Sequence, residues 1–346
     1  MKNSIWYSKR FWIGVSFFCG LVLISFLFTR YGKSLYSNSI MLLKNSDGIV
    51  SHSAPFNPLL MPPLGSDRNG YNLFYQLIIG AKSTILFVFG VSLIQLLLGT
   101  LLGALLAYTP EKLQNFIRKV FKVYFYVPTI IWVFLFMLPL MLESEATGFA
   151  FSIVMKQFLI ICFIMLPTVT LYITEEINLL MKKEYITSSI VLGAQKFHLF
   201  RKHVWISLKE ILSILFLQQS VQLFTLLIHM GFFNILIGGR YVTFDPVSNR
   251  KFTFSLTNEW SGLIGLNKTE LMTAPWIILA PLVFFTISIF VLNFMIQGIK
   301  RQHDIPNVHV KKQKKKQKSL SEEKQAIIHA EQFNFAKRDT PSSPSS

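Results

Sequence analysis

Acidic residues are scarce in this chain, with 17 Asp and Glu against 34 Lys and Arg in 346 residues. None of the acidic residues falls inside its six long apolar blocks. Carriers driven by protons or sodium commonly place carboxylates within their spans, so energy for any transport has to arrive from elsewhere. Charged residues of both signs make up only 15%, where a soluble domain carries about a quarter. Also missing are a G-x-x-x-x-G-K-[ST] phosphate loop, an H-E-x-x-H zinc helix, a G-x-S-x-G elbow and Cys/His metal spacing. The chain therefore does not read as an enzyme, and neither a cofactor nor a metal is expected. Its two cysteines, Cys19 and Cys162, fall inside apolar blocks and read as packing residues. The net charge of +17 is spread over several loops with no nucleic-acid-reading motif. It describes membrane topology, and no nucleic-acid partner is expected.

What the chain has in abundance is apolar residues, 52% of the total. They are gathered into Phe11 to Thr29, Ser83 to Pro110, Val123 to Leu142, Gln157 to Thr174, Ile211 to Gly239 and Leu271 to Ile299. About 20 apolar residues span a bilayer as helix. The expectation is an all-α integral membrane protein with six transmembrane helices. Lys and Arg concentrate on the side that holds both termini, so both are placed in the cytoplasm. Arg30 and Tyr31, rather than a small-x-small cleavage site, follow the first block, which is read as an uncleaved signal anchor.

Three regions follow from this. Residues 1–82 hold the anchor, an extracellular segment and an interfacial collar. Residues 83–299 form a five-helix core with a cytoplasmic loop at 175–210, and 300–346 form a basic tail without regular structure. Residues 31–66, with four prolines, are expected to lack regular structure outside the membrane. Gly65, Ser66, Asp67 and Gly70 suit a tight turn with an Asx-type cap. Leu73, Phe74, Leu77 and Ile78 then repeat like an interfacial helix, the collar. Gly99 and Gly103 have the G-x-x-x-G spacing of close helix approach, and Pro128, Pro139 and Pro167 predict kinks. In the fifth span Gln218, Gln222, Thr225 and His229 are spaced by four, three and four, one polar stripe on one helix face. It serves either inter-helix hydrogen bonding or the lining of a water-filled path. The tail carries a polybasic run at Lys311 to Lys318, suited to membrane lipids with anionic headgroups.

Between the fourth and fifth blocks lies the only long amphipathic, charge-bearing segment flanked by membrane-spanning runs, Glu184 to Ser207. Ile186 and Ile190 fall four apart, Gly193 interrupts, and Phe197, Phe200 and Val204 resume. That predicts two short helices with a turn between them. Such a segment lies flat on a membrane, merely connects two spans, or docks a soluble partner.

The stretch YITSSIVLGAQKFHLFRKHVWISL resembles the cytoplasmic signature loop of binding-protein-dependent ABC importer permeases, E-A-A-x-x-x-G-x(9)-I-x-L-P. Tyr185, Leu192, Gly193, Ala194 and His203 match its dipeptide/oligopeptide/nickel branch in place, while Thr187, Ser188 and Ser189 stand where that branch has E-A-A. LGSDRNGYN at 64–72 is similar to the branch's L-G-T-D-x-x-G-R-D. NEWSG at 258–262, APW at 274–276 and VLNFMIQGIKR at 291–301 resemble its closing motifs, those of the C-type subunit.

The resemblance implies a type I importer permease fold and a passive half-channel. A second, similar permease subunit would complete the channel. An extracellular solute-binding protein would deliver substrate, and cytoplasmic ABC ATPase subunits would supply the energy. Implied ATPase-coupling residues are Tyr185, Ile186, Ser188, Ser189, Ile190, Gly193, Ala194 and His203. Gly193 allows the turn, the small residues allow close approach, and Ile186 and Ile190 fill an apolar slot of the ATPase. Gln218, Gln222, Thr225 and His229 are the corresponding candidates for the path, and a peptide is the implied solute. The alternatives are a secondary carrier and a non-transporting membrane scaffold or sensor.

Overall fold

A computed structural model of the chain describes residues 9–32, 39–44, 49–147, 151–193, 204–245 and 250–303. Helix α1 (Lys9–Tyr31) leads through a short hairpin, β1 (Leu42–Lys44) and β2 (Val50–Ser53), to α2 (Leu73–Ala107). Next come α3 (Glu111–Phe125), α4 (Thr129–Thr147), α5 (Phe151–Met181) and the short α6 (Glu184–Val191). Helix α7 (Trp205–Phe232) is followed by a second hairpin, β3 (Arg240–Asp245) and β4 (Arg250–Ser255). The described chain closes with α8 (Trp260–Asn267), a 3-10 turn at Lys268–Leu271, and α9 (Trp276–His303). Both hairpins are antiparallel and two-stranded.

Five of these helices are long and apolar enough to cross a membrane, and a sixth span results if the bent pair α3 and α4 is taken as one. The block Val123 to Leu142, expected as a single span, is thus two helices meeting at 79°. Pro128 sits between them. Proline removes a backbone donor and collides with the preceding turn, and here the chain breaks. Pro139 and Pro167 instead stay inside α4 and α5.

Residues 31–66 hold the β1–β2 hairpin, a departure from the expected irregular segment. The collar is not a separate helix either. Leu73 to Ile78 are the opening turns of α2, which runs unbroken for 35 residues, roughly 50 Å, so the boundary drawn between 82 and 83 falls inside it. Asn72 caps it, its side-chain oxygen accepting from the amides of Phe74 (3.0 Å) and Tyr75 (3.4 Å). Leu73 and Leu77 are fully buried.

The main core gathers α1, α2, α4, α5, α7, α8 and α9 around Phe18, Val88, Met137, Ile161, Phe224 and Phe285. A smaller cluster sits at the α6 end. Helices α2 and α5 pack most extensively, and the two glycines of the G-x-x-x-G spacing are the reason. A Cβ on Gly103 would stand 2.7 Å from the Thr170 carbonyl oxygen and 2.8 Å from the Ile173 Cβ, and one on Gly99 2.5 Å from Val169 Cγ1. The Thr174 hydroxyl donates across this contact to the Gly103 carbonyl (3.1 Å).

Replacing Gly103 by leucine should therefore cost about 1–3 kcal/mol of overpacking, read as a lower thermal midpoint of the detergent-solubilised chain. A midpoint equal to wild type would show that the α2–α5 contact is not set by these glycines.

Candidate functional site

At one end of the bundle, α5 continues to Met181, and after two intervening residues the eight-residue α6 begins. Ile186 is fully buried, packed in a cluster with Ile177 and Leu180 of α5 and Val204, Leu208 and Leu215 at the start of α7. This corrects the slot-filling role expected of Ile186, since its side chain is spent on holding α6 to its own chain. The polar side of α6 is turned outward. Tyr185 and Ser188 are exposed, Ser189 is half-buried, and the hydroxyls of Thr187, Ser188 and Ser189 each donate back to the carbonyl four residues earlier (3.3, 2.8 and 2.8 Å). Serine and threonine bonded in this way ask nothing of a partner, so they allow a close approach.

Beyond them project Val191 and Leu192, 82% and 88% exposed. These two are the apolar knob of the segment, and they were not among the expected coupling residues. Their signal lay in the sequence, as the last apolar pair before the glycine. Gly193 follows with φ of +87° and open space around the position of a Cβ. That left-handed conformation favours glycine and ends the helix. Ala194, His203 and the side chain of Ile190 lie outside the described residues, as does the second short helix expected beyond the turn.

Helix α7 carries the polar stripe away from the core. Ser220, Leu223, Phe224, Leu227 and Met230 face inward, whereas Gln222, Thr225 and His229 are exposed and Gln218 is half-buried. The Thr225 hydroxyl returns to the Val221 carbonyl (3.0 Å). Sequence reasoning missed the inward polar seam between α2 and α7, because single polar residues in a span have no periodicity. There Ser220 and Ser92 are hydrogen-bonded at 3.1 Å, and Gln95 and Gln219 are buried.

At the opposite end the residues read in the family motifs form structural knots. Asp67 accepts from the amides of Asn69 (3.0 Å) and Tyr71 (2.8 Å) and from Gln76 Nε2 (2.8 Å), closing the turn that precedes α2. Burial pushes its carboxyl up to about 6, against the pull of these three donors. The Trp260 ring donates from Nε1 to the Leu77 carbonyl (2.8 Å), and its amide donates to Thr84 Oγ1 (3.1 Å). Glu259 is fully buried. It accepts from the Ile237 amide (3.2 Å) and the Ser261 hydroxyl (2.5 Å), and burial raises its pKa against these donors. Together these bonds seat α8 between α2 and α7, where Gly80, Gly231 and Gly265 leave room for backbone contact. A cavity of about 1120 Å³ opens between the hairpins and α8, lined in part by Asp67, Arg68, Tyr71, Gln76, Asn267 and Glu270. Arg68 and Glu270 meet there at 3.2 Å. Among the described residues no cluster of His, Cys, Asp or Glu has the geometry to hold a metal.

Residues 99–304, more than half of the chain, match the family described as binding-protein-dependent transport system inner membrane component. The matched region begins in the last turns of α2 and takes in α3 to the end of α9. The chain is also 21% identical over 236 residues to the oligopeptide transport system permease protein OppC of Haemophilus influenzae, which covers 68% of each chain.

The Asp67 knot gives a pH signature. A carboxyl at about 6 when folded and 3.8 when unfolded binds its proton more readily in the native state. Its contribution is fully favourable below about pH 4 and is lost as pH rises through 6, a difference of up to about 3 kcal/mol. Asp67→Asn keeps the acceptor for Asn69 and Tyr71 without the charge. It should melt above wild type at pH 7.5, with the gap closing at pH 4. A variant melting below wild type at pH 7.5 would mean that the three donors outweigh desolvation.

Proposed function

The chain belongs to the binding-protein-dependent transport system inner membrane components, a multi-pass plasma-membrane permease of an ABC importer, and from that premise we propose how it works. Its solute is an oligopeptide or dipeptide, both termini are cytoplasmic, and it forms half of a translocation path completed by a second permease subunit. It hydrolyses no ATP itself, and cytoplasmic ABC ATPases bind at α6. An extracellular solute-binding protein delivers the peptide at the opposite end, where the hairpins and the cavity lie.

The observation that carries this reading is the two-sidedness of α6. Ile186 fixes it to α5 and α7, while Ser188, Val191 and Leu192 form an exposed surface with an apolar tip. An apolar knob beside small hydroxyls suits a groove on a rigid partner. Movement of that partner shifts α6 and α7 as one body, because they share a core. The stripe supports the second half of the proposal. Gln222 and His229 point out of the isolated chain, and hydrocarbon would leave their polar groups unsatisfied, whereas the Thr225 hydroxyl beside them is met by the Val221 carbonyl. They face a water-filled path closed on its far side by the second subunit.

Co-purification of the detergent-solubilised chain with its ATPase, for wild type and Gly193→Trp, tests the coupling site. A Cβ at position 193 meets nothing within 4 Å, and the local strain of a side chain there is about 1–2 kcal/mol, so the bundle should stay folded while the complex is lost. Retention of the complex would remove α6 as the coupling element. Failure of wild type to bind any ATPase would favour a membrane scaffold.

A further inference from the structure

Helix α3 is built with three faces, and only one of them is used by the bundle. Gln114, Arg118 and Tyr124 look toward α5. The Gln114 side-chain oxygen accepts from Asn178 Nδ2 (2.9 Å), Arg118 Nε stands 4.0 Å from the Glu175 carboxylate, and the Tyr124 hydroxyl donates to the Ile164 carbonyl (2.7 Å). Leu113, Phe116, Val120 and Val123, spaced by three, four and three, form a second face and are all exposed. Lys112, Asn115, Lys119 and Lys122, with the same spacing, form a third and are exposed too. At 100° per residue the apolar and basic faces are adjacent, with centres about 100° apart.

Two further observations select what covers these faces. The helix is turned 79° from α4 at Pro128, so the two do not continue as one straight span. Its contacts run from Asn178, near the α6 end of α5, down to Ile164, so it leans obliquely into the bundle from that end. Helix contacts inside membranes favour small residues, as Gly99 and Gly103 show against α5. The exposed apolar face of α3 has none. Apolar bulk beside a row of lysines fits the boundary between acyl chains and negatively charged headgroups.

We propose that α3 is a lipid-binding helix, with Leu113, Phe116, Val120 and Val123 set among acyl chains and Lys112, Lys119 and Lys122 holding anionic phospholipid headgroups at the α6 end. This is independent of the solute and of the ATPase. It makes α3 an anchor that fixes the end of α5, and hence α6, relative to the membrane surface.

The test uses the full chain with Cys19→Ser and Cys162→Ala, carrying a fluorophore at Phe116→Cys or at Asn115→Cys. It is reconstituted into phosphatidylcholine vesicles with and without phosphatidylglycerol. Quenchers attached to lipid chains should quench the label at 116, and neutral aqueous acrylamide the label at 115, with quenching at 116 stronger and quenching at 115 weaker when phosphatidylglycerol is present. Lys112→Gln, Lys119→Gln and Lys122→Gln combined should abolish that phosphatidylglycerol effect with the thermal midpoint unchanged, since all three side chains are exposed. A label at 116 shielded from both quenchers would show that protein covers the face, and equal quenching in both vesicle types would remove the headgroup contact. Either result overturns the proposal.

Discussion

In hydrocarbon every polar group must find a partner within protein or water, and that constraint organises this molecule. Where α2 meets α5, glycines bring backbones close enough for the Thr174 hydroxyl to reach the Gly103 carbonyl. Where the chain leaves helical structure after α7, Gln157 of α5 closes the gap by donating to the Leu236 carbonyl (3.0 Å) and accepting from the Gly238 amide (2.9 Å). Glu259 and Trp260 do the same for the segment that leads into α8. In the seam between α2 and α7, Gln95 Nε2 and Oε1 and Gln219 Oε1 stay buried without a partner among the described residues, and on the outside the stripe on α7 is left over. Its outward position is the clearest sign that the isolated chain is part of a larger assembly.

The same packing makes a lever. The cluster around Ile186 joins α6 to the ends of α5 and α7, and α7 then carries Gln222 roughly 20 Å further along its axis from Leu208. Packed cores move as bodies rather than deform. A displacement at α6 is therefore transmitted to the helix that bears the polar stripe, without an intervening hinge among the described residues of α7. If coupling runs through α6 as proposed above, force is applied at the exposed tip of Val191 and Leu192.

Much of this was legible in the sequence, for stated reasons. Uncharged blocks of spanning length announced the helices, the glycine pair announced a close helix approach without saying which helix makes it, and spacing by three and four put the stripe on one face of α7. The Asx-type turn at Asp67 was legible as well, because the side chain bonds within a few residues of itself. What was not legible depended on distant partners. The apolarity of Ile186 says that it will be covered, and only the fold says that α5 and α7 cover it. A proline at 128 is compatible with a kink or a break, and the outcome rests on how α3 and α4 pack. The continuity of α2 through residue 82 depends on Trp260 and Ser25, which bind the carbonyls of Leu77 and Ile79 from other helices.

The central claim is that α6, through its tip, is where the energy of ATP enters this chain. Disulfide cross-linking from Leu192→Cys, in a Cys19→Ser and Cys162→Ala background, to a cysteine in the groove of the partner ATPase tests it most directly. The account predicts a cross-link within the assembled importer whose yield changes when ATP is bound. An assembled, ATP-hydrolysing importer that gives no cross-link from Leu192 under any nucleotide condition would contradict it.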